Sequence, residues 1–342
     1  MSTDELDVLV AGGGPVGLAT AIEAARRGLR VAVVEPREGV VDKACGEGLM
    51  PAAVSRLRDL GVEVAGRPFV GIRYLADGRS AQARFRRGPG QGVRRTVLHA
   101  ALSARADRLG VRRVTGRVRD VRDCGSRVEA AGMQARWLVA ADGLHSTVRR
   151  EVGLDRPTAG PSRYGLRRHF GMAPWTDHVE VYWSPHVEAY VTPVADDLVG
   201  VAVLGPAGTG YASALAELPA LAARLRGAAP VTAVRGAGPL RQRATRVRAG
   251  RVLLVGDAAG YVDALTGEGL STGLASATAA VAALASGRPA GYEWAWARST
   301  RRYRLLTEVL LAAAARPGPR AALVPLAAGW PRGFAAAVNL LA

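Results

Sequence analysis

The chain has 342 residues, 49% hydrophobic and 22% charged, which is a globular rather than a disordered composition. Its formal charge is +17, yet Lys43 is the only lysine among 46 basic residues, and the excess is spread along the chain: 26 basic against 16 acidic side chains over 1–150, 20 against 13 over 151–342. This is arginine-biased composition rather than a basic tail, so no nucleic-acid partner is expected.

The chain opens on an acidic stretch, Met1 to Asp7, without a signal-peptide pattern, and no apolar run reaches the ~20 residues of a membrane span. The expected location is cytoplasmic. Cys45 and Cys124 are too few for a disulfide framework, and no metal-ligand spacing occurs. Leu6–Ala11 reads as a buried strand. The turn Gly12-Gly13-Gly14-Pro15-Val16-Gly17 follows, then a helix to Arg27 and a second strand, Val31–Val34, closed by Glu35. This is a GxGxxG turn in the setting that gives it meaning: strand, turn, helix, strand, acid. Gly12 allows the tight turn, Gly14 lets a pyrophosphate approach the backbone, and Gly17 lets helix pack on strand. The helix N-terminus offers free N–H groups to phosphates, and Glu35 can accept from a ribose hydroxyl while repelling a 2′-phosphate.

Further along, Phe69–Phe85 reads as a hairpin turning at Asp77-Gly78. Arg95 opens a helix to about Leu109. The arginine-rich stretch Arg105–Arg122, interleaved with Asp107 and Asp120, reads as solvated faces. Two more strands end in glycine–carboxylate turns, one at Asp142-Gly143 and one at Gly256-Asp257. Gly267-Glu268-Gly269-Leu270 then leads into an Ala-rich helix. Each lies at the carboxyl end of a strand or the start of a helix, where open α/β sheets bind ligands.

This ordered set resembles the flavoprotein fold of para-hydroxybenzoate hydroxylase over most of the chain up to about residue 290. The segment Asp42-Lys43-Ala44-Cys45-Gly46-Glu47-Gly48-Leu49, with Gly256 through Gly269, is most similar to the geranylgeranyl reductase family and related flavin monooxygenases. The resemblance implies FAD as cofactor, with NAD(P)H as a transient reductant. It places Gly12, Gly14, Val16, Gly17, Glu35, Lys43, Cys45, Gly46, Arg95, Asp142, Gly143, Asp257, Gly267, Gly269 and Leu270 around that cofactor. Lys43 would stabilise a Cys45 thiolate. The family's Tyr-x-Trp-x-Phe-Pro element falls on Glu188, Tyr190 and Thr192, of which only Tyr190 is aromatic, and a family proline is Ala264 here. These departures argue against a polyprenyl substrate.

The expected fold is α/β. It has a Rossmann-like FAD-binding domain over 1–66, 94–159 and 248–300, an inserted β-sheet substrate layer over 67–93 and 160–247, and C-terminal helices over 301–342. Within the layer, Val179–Trp183, Val187–Val191 and Leu198–Leu204 read as strands and Ala212–Arg226 as helix. Strand alternation puts Glu188, Tyr190 and Thr192 on one face, which suits a phenol: Glu188 as base, Tyr190 as stacking or hydrogen-bonding partner. Cys45 is the third catalytic candidate. His169, His178 and His186 read as solvated. The C-terminal Ala/Leu-rich segment, broken at Pro317, Pro319, Pro325 and Pro331, reads as helices closing the pocket, with an apolar surface for peripheral membrane contact as the alternative.

The predicted activity is an FAD-dependent monooxygenase that uses NAD(P)H and O₂ to hydroxylate an activated aromatic, phenolic and possibly polyketide-derived small molecule of specialised metabolism. Reduction of a C=C bond in an isoprenoid or lipid-like substrate is the alternative, halogenation the third, and a cyclase with structural FAD the fourth. The protein is expected to be a monomer or homodimer.

Overall fold

The computed structural model describes residues 6–158 and 162–342. Residues 1–5 of the acidic opening, and the boundary drawn at 159/160, lie outside them. In chain order the principal elements are β1 (Leu6–Ala11), α1 (Pro15–Arg26), β2 (Val31–Glu35), β3 (Gly71–Ala76), β4 (Arg79–Arg84), α2 (Arg95–Arg108), β5 (Arg112–Thr115), β6 (Met133–Ala140), β7 (Arg163–Gly171), β8 (His178–Trp183), β9 (Glu188–Ala195), β10 (Leu198–Pro206), β11 (Val252–Leu254), α3 (Gly269–Ala285), α4 (Gly291–Ala314), α5 (Pro317–Gly329) and α6 (Pro331–Leu341).

The core of the first sheet runs β11-β6-β1-β2-β5, all parallel, with short antiparallel strands added beside β11 and β6. Its strands are continuous apolar runs because helices cover them: Leu9, Val10, Val33, Leu138, Val139 and Leu253 are buried, and α1, α2 and α3 pack around them. Parallel pairing puts the carboxyl ends of β1, β2, β6 and β11 along one edge. The turns at Gly12, Glu35, Asp142 and Asp257 therefore meet in space although the sequence spreads them over 245 positions.

The second sheet runs β7-β10-β9-β8-β3-β4, antiparallel except for the parallel pair β8–β3. The hairpin turns where expected, with Asp77 and Gly78 both at positive φ. One face packs Val191, Val201 and Val203 on Tyr211, Leu218 and Leu221. The helix expected over Ala212–Arg226 is two short helices, Tyr211–Ala216 and Pro219–Arg224. Pro219 lacks the N–H to continue the first and instead starts the second, where its fixed φ suits a first helical position. The other face looks toward the nucleotide turns of the first sheet.

Candidate active site

A cavity of about 940 Å³ lies between the two sheets. Of the residues expected around a cofactor, Gly12, Gly14, Val16, Glu35, Lys43, Cys45, Gly46, Arg95, Asp142, Gly143, Asp257, Gly267, Gly269 and Leu270 all line it. Gly17 does not. It packs behind the turn, where a Cβ would stand 1.9 Å from the Gly12 carbonyl oxygen, in keeping with the helix–strand role read for it.

The turns are held by their own hydrogen bonds. The Gly13 amide donates to Glu35 at 2.8 Å, and Arg37 Nε donates to the same carboxylate at 2.6 Å. Burial works to raise the Glu35 pKa, but these bonds and the Arg37 charge together hold it below the usual range. His99, buried on α2, bridges the Gly13 carbonyl at 3.0 Å and the Val41 amide at 3.4 Å. Sequence reading missed Arg37, whose partner Glu35 is only two residues away, and His99, whose partner Gly13 is 86 positions away and met only through folding.

Lys43 is largely enclosed. Burial depresses its pKa, and the opposite charge of Asp257 resists that. Burial likewise raises Asp257, while Lys43, Arg95 and Arg149 pull it down. Arg149 is buried and fully engaged with Asp155, Gln242 and the carbonyls of Leu144 and Ala258. It ties the Asp142 turn to the Gly256–Ala259 turn. Cys45 is half-buried, and its sulfur accepts from the Glu47 amide at 3.4 Å.

The loop carrying Lys43 and Cys45 is gripped from the second sheet. Arg167 reaches the Asp42 carboxylate and the Lys43 carbonyl, and Thr192 donates to the Gly46 carbonyl at 2.7 Å. Glu47 sits at φ +59°, a conformation side chains rarely adopt. Its carboxylate bonds His169 Nε2 at 2.5 Å and accepts from the Arg95 amide at 2.8 Å. Thr192, Gly200 and His169 form one row across β9, β10 and β7. Gly200 opens a notch in that row: a Cβ there would come 3.2 Å from the Glu47 carboxylate. His169 is thus a buried anchor, and His178 is buried as well; the expectation of solvated histidines holds only for His186. Both sit on sheet strands facing packed neighbours, a burial that alternation alone did not reveal.

The expected substrate face is corrected at Glu188. Tyr190 and Thr192 line the cavity, but Glu188 does not. It is fully buried between Arg163 and Arg320, with Arg320 donating at 2.8 Å. Arg163 also holds Asp263 at 3.2 Å. Burial raises the Asp263 carboxyl to about 6 against the pull of Arg163. Glu188 is the centre of an ion-pair network and is not free to act as a base. The Tyr190 hydroxyl is used as well, donating to the Leu265 carbonyl at 2.7 Å. Beside Arg167 and Thr192, what these strands offer the cavity is mainly apolar: Ile72, Tyr74, Val179 and Val181, opposite Leu306, Leu310, Leu323 and Phe334 of the C-terminal helices.

Three buried polar atoms on cavity-lining residues have no protein partner, Asp142 Oδ1, Arg95 Nε and Arg167 Nε, and the first two lie beside the glycine turns. A buried carboxylate oxygen and a guanidinium N–H left unpaired beside glycine turns suit a dinucleotide, with hydroxyls for the one and phosphate for the other.

Glu268, just ahead of α3, is buried with Oε1 unpaired, and burial raises its pKa to about 8 from 4.5. Folding therefore holds a proton across that window, and stability declines as pH rises through it. Glu268→Gln removes the titration. In thermal or urea melts of the flavin-free protein, the variant is expected to lose on the order of 3–5 kcal/mol less than the wild type between pH 5 and 9. Parallel pH profiles for the two would refute this.

Comparison with known proteins agrees with this architecture. The family described as FAD binding domain matches residues 100–289, and that described as FAD dependent oxidoreductase matches residues 7–46. The menaquinone reductase of Mycolicibacterium smegmatis is 31% identical over 325 residues, covering 85% of this chain and 79% of that protein. Digeranylgeranylglycerophospholipid reductase 1 of Methanothermobacter thermautotrophicus is 30% identical over 302 residues, covering 79% and 74%. The solved p-nitrophenol 4-monooxygenase of Pseudomonas putida superposes with a TM-score of 0.83 over 98% of this chain and 96% of its own, at 20% identity.

Proposed function

Since the chain belongs to the FAD-binding domain family of flavin-dependent oxidoreductases, we propose that it is a reductase that saturates a C=C bond in an apolar, isoprenoid-like substrate at the expense of NAD(P)H. The observation that carries this reading is the cavity wall beyond the nucleotide turns. Among the described residues its strand and C-terminal-helix sides are mainly aliphatic and aromatic, with Arg167, Thr192 and Thr266 as polar members, and the one carboxylate expected there as a base, Glu188, is locked in ion pairs. Deprotonating a phenol needs a free base; binding an isoprenoid needs apolar surface. The names of the two reductases that align over most of the chain point the same way.

On this reading residues 1–66, 94–159 and 248–300 hold FAD, 67–93 and 160–247 cover it, and 301–342 close the substrate space. The amide groups of Gly14 and Val16 and the Arg95 side chain take the pyrophosphate, Glu35 a ribose hydroxyl, and Asp142 and Asp257 further hydroxyls. Gly267, Gly269 and Leu270 present the start of α3 to the ring system. FAD, when bound, would supply the hydride-transfer chemistry that links nicotinamide oxidation to reduction of the double bond. The chain supplies position: Lys43 sits near Asp257 on the loop that also brings Cys45, the candidate redox thiol, to the cavity wall. The apolar wall excludes water from the reacting centre.

The test is product mass with an isoprenoid quinone and NADH or NADPH in anaerobic solution. A gain of two hydrogens is expected. Product formed only in air and carrying label from ¹⁸O₂ would replace this reading with the hydroxylation expected from the sequence. Conversion without consumption of reductant would replace it with a structural role for the flavin.

A further inference from the structure

The C-terminal helices line the cavity, as the sequence suggested, but they also carry most of the apolar surface the protein leaves in water. Leu305, Val309, Leu326, Trp330 and Leu340 are each more than half exposed, Trp330 at 71%. Surface patches of this kind, placed together and rimmed by charge, mark interaction sites. Arg301, Leu305 and Val309 follow at four-residue spacing along one face of α4, so a cation leads into the apolar stripe. Trp330 stands at the break between α5 and α6, which bend 104° against each other. After Glu308 the chain has no Asp or Glu, and Arg316 and Arg332 are exposed. Among the described residues no single helix is long and apolar enough to cross a membrane, and α5 with α6 qualifies only as this bent pair. The arrangement fits helices that lie in an interface rather than span it.

The patch is continuous with the cavity. Val309 and Ala337 are exposed and line it too, so they stand at its mouth. An apolar substrate dissolved in a bilayer could pass from lipid to cavity without crossing water.

We propose that α4, α5 and α6 form a docking face for an anionic phospholipid bilayer, with Leu326 and Trp330 entering the headgroup–acyl boundary and Arg301, Arg316 and Arg332 meeting the lipid charge. The proposal rests on the apolar-substrate reading of the cavity for its purpose, but the binding itself can be measured without substrate. The charge pattern selects lipid over a second copy of the chain, since two copies would bring the same arginines face to face.

The FAD-loaded protein is sedimented with vesicles of phosphatidylcholine alone or with 30% phosphatidylglycerol, the latter figure being roughly a bacterial-like anionic fraction for a first test. Binding is expected with the anionic vesicles and is weaker with the neutral ones. It should fall roughly five-fold for each of Arg316→Gln and Arg332→Gln, and weaken at high salt. The double variant Leu326→Ser, Trp330→Ser is expected to lose at least about ten-fold in partitioning. Neither position lines the cavity, so flavin content and the melting temperature should stay at wild-type values and serve as the folding control. Wild-type protein that fails to sediment with anionic vesicles overturns the proposal. So does a concentration-dependent dimer that the double variant abolishes, which would assign the patch to self-association. If vesicle binding holds and quinone reduction fails, the docking face stands and the substrate reading falls.

Discussion

Gly17→Ala is expected to purify without flavin. A Cβ at this position would stand 1.9 Å from the Gly12 carbonyl oxygen and 3.3 Å from the Ala141 side chain. The nearest obstacle is backbone, not the end of a flexible side chain, so relief requires α1 to move away from β1. That movement displaces the amides of the glycine turn and the end of β6 at Ala141 together. Overpacking a well-packed core commonly costs about 1–3 kcal/mol. Here the strain falls on the turn that would hold the pyrophosphate, so the loss of flavin should exceed the loss of fold. Flavin absorbance per mole of purified protein, beside circular dichroism, separates the two. A variant carrying a full complement of flavin at the wild-type melting temperature would show that α1 does not pack as described.

Glu188→Ala is expected to destabilise the protein by about 3–5 kcal/mol, the usual cost of leaving a buried charge without its partner. Removing this carboxylate strands two guanidinium groups. Arg320 would keep the carbonyls of Ser184 and Ala314 and the face of Trp183, but no counter-charge. Arg163 would keep only Asp263. Because Arg320 belongs to α5, the loss should loosen the C-terminal helices first, and faster proteolysis within 315–330 is the expected signature. The melting temperature should fall by on the order of 10 °C. Glu188→Gln decides between the two roles considered for this residue. A structural network predicts lower stability in the Gln variant as well. A general base predicts wild-type stability with turnover lost, and that result would restore the role read from strand alternation.

The cofactor side of the site was legible because its signals are local. A tight turn after a strand needs a glycine at positive φ, and Gly12 shows it at +97°. A carboxylate at the end of the next strand lies beside that turn through parallel pairing, as Glu35 does. These are constraints of backbone geometry within a few residues, so composition and order reveal them. The loop from Asp42 to Leu49 was legible by resemblance, and its lone lysine does sit on the cavity wall.

The substrate side was legible only in outline. Strand alternation placed Glu188, Tyr190 and Thr192 on one face, and Tyr190 and Thr192 do face the cavity. Alternation fixes direction, however, not what lies opposite. Arg320 meets Glu188 from 132 positions away, and His169 meets Glu47 from 122. Whether a carboxylate is a free base or one pole of an ion pair depends on those partners. The same limit applies to the C-terminal helices, whose sequence shows apolar residues but not which of them remain in water.

By itself, then, the sequence determined the nucleotide-binding half: the glycine turns and the acids that end the strands. These follow from steric rules acting over one or two elements. Only the tertiary structure decided that Glu188 is bound, that the Lys43–Glu47 loop is clamped through the Gly200 notch, and that the cavity opens beside an exposed apolar face. Those outcomes depend on burial and pairing between distant segments, and electrostatic and solvation energies are set by where the chain brings groups together, not by their order along it.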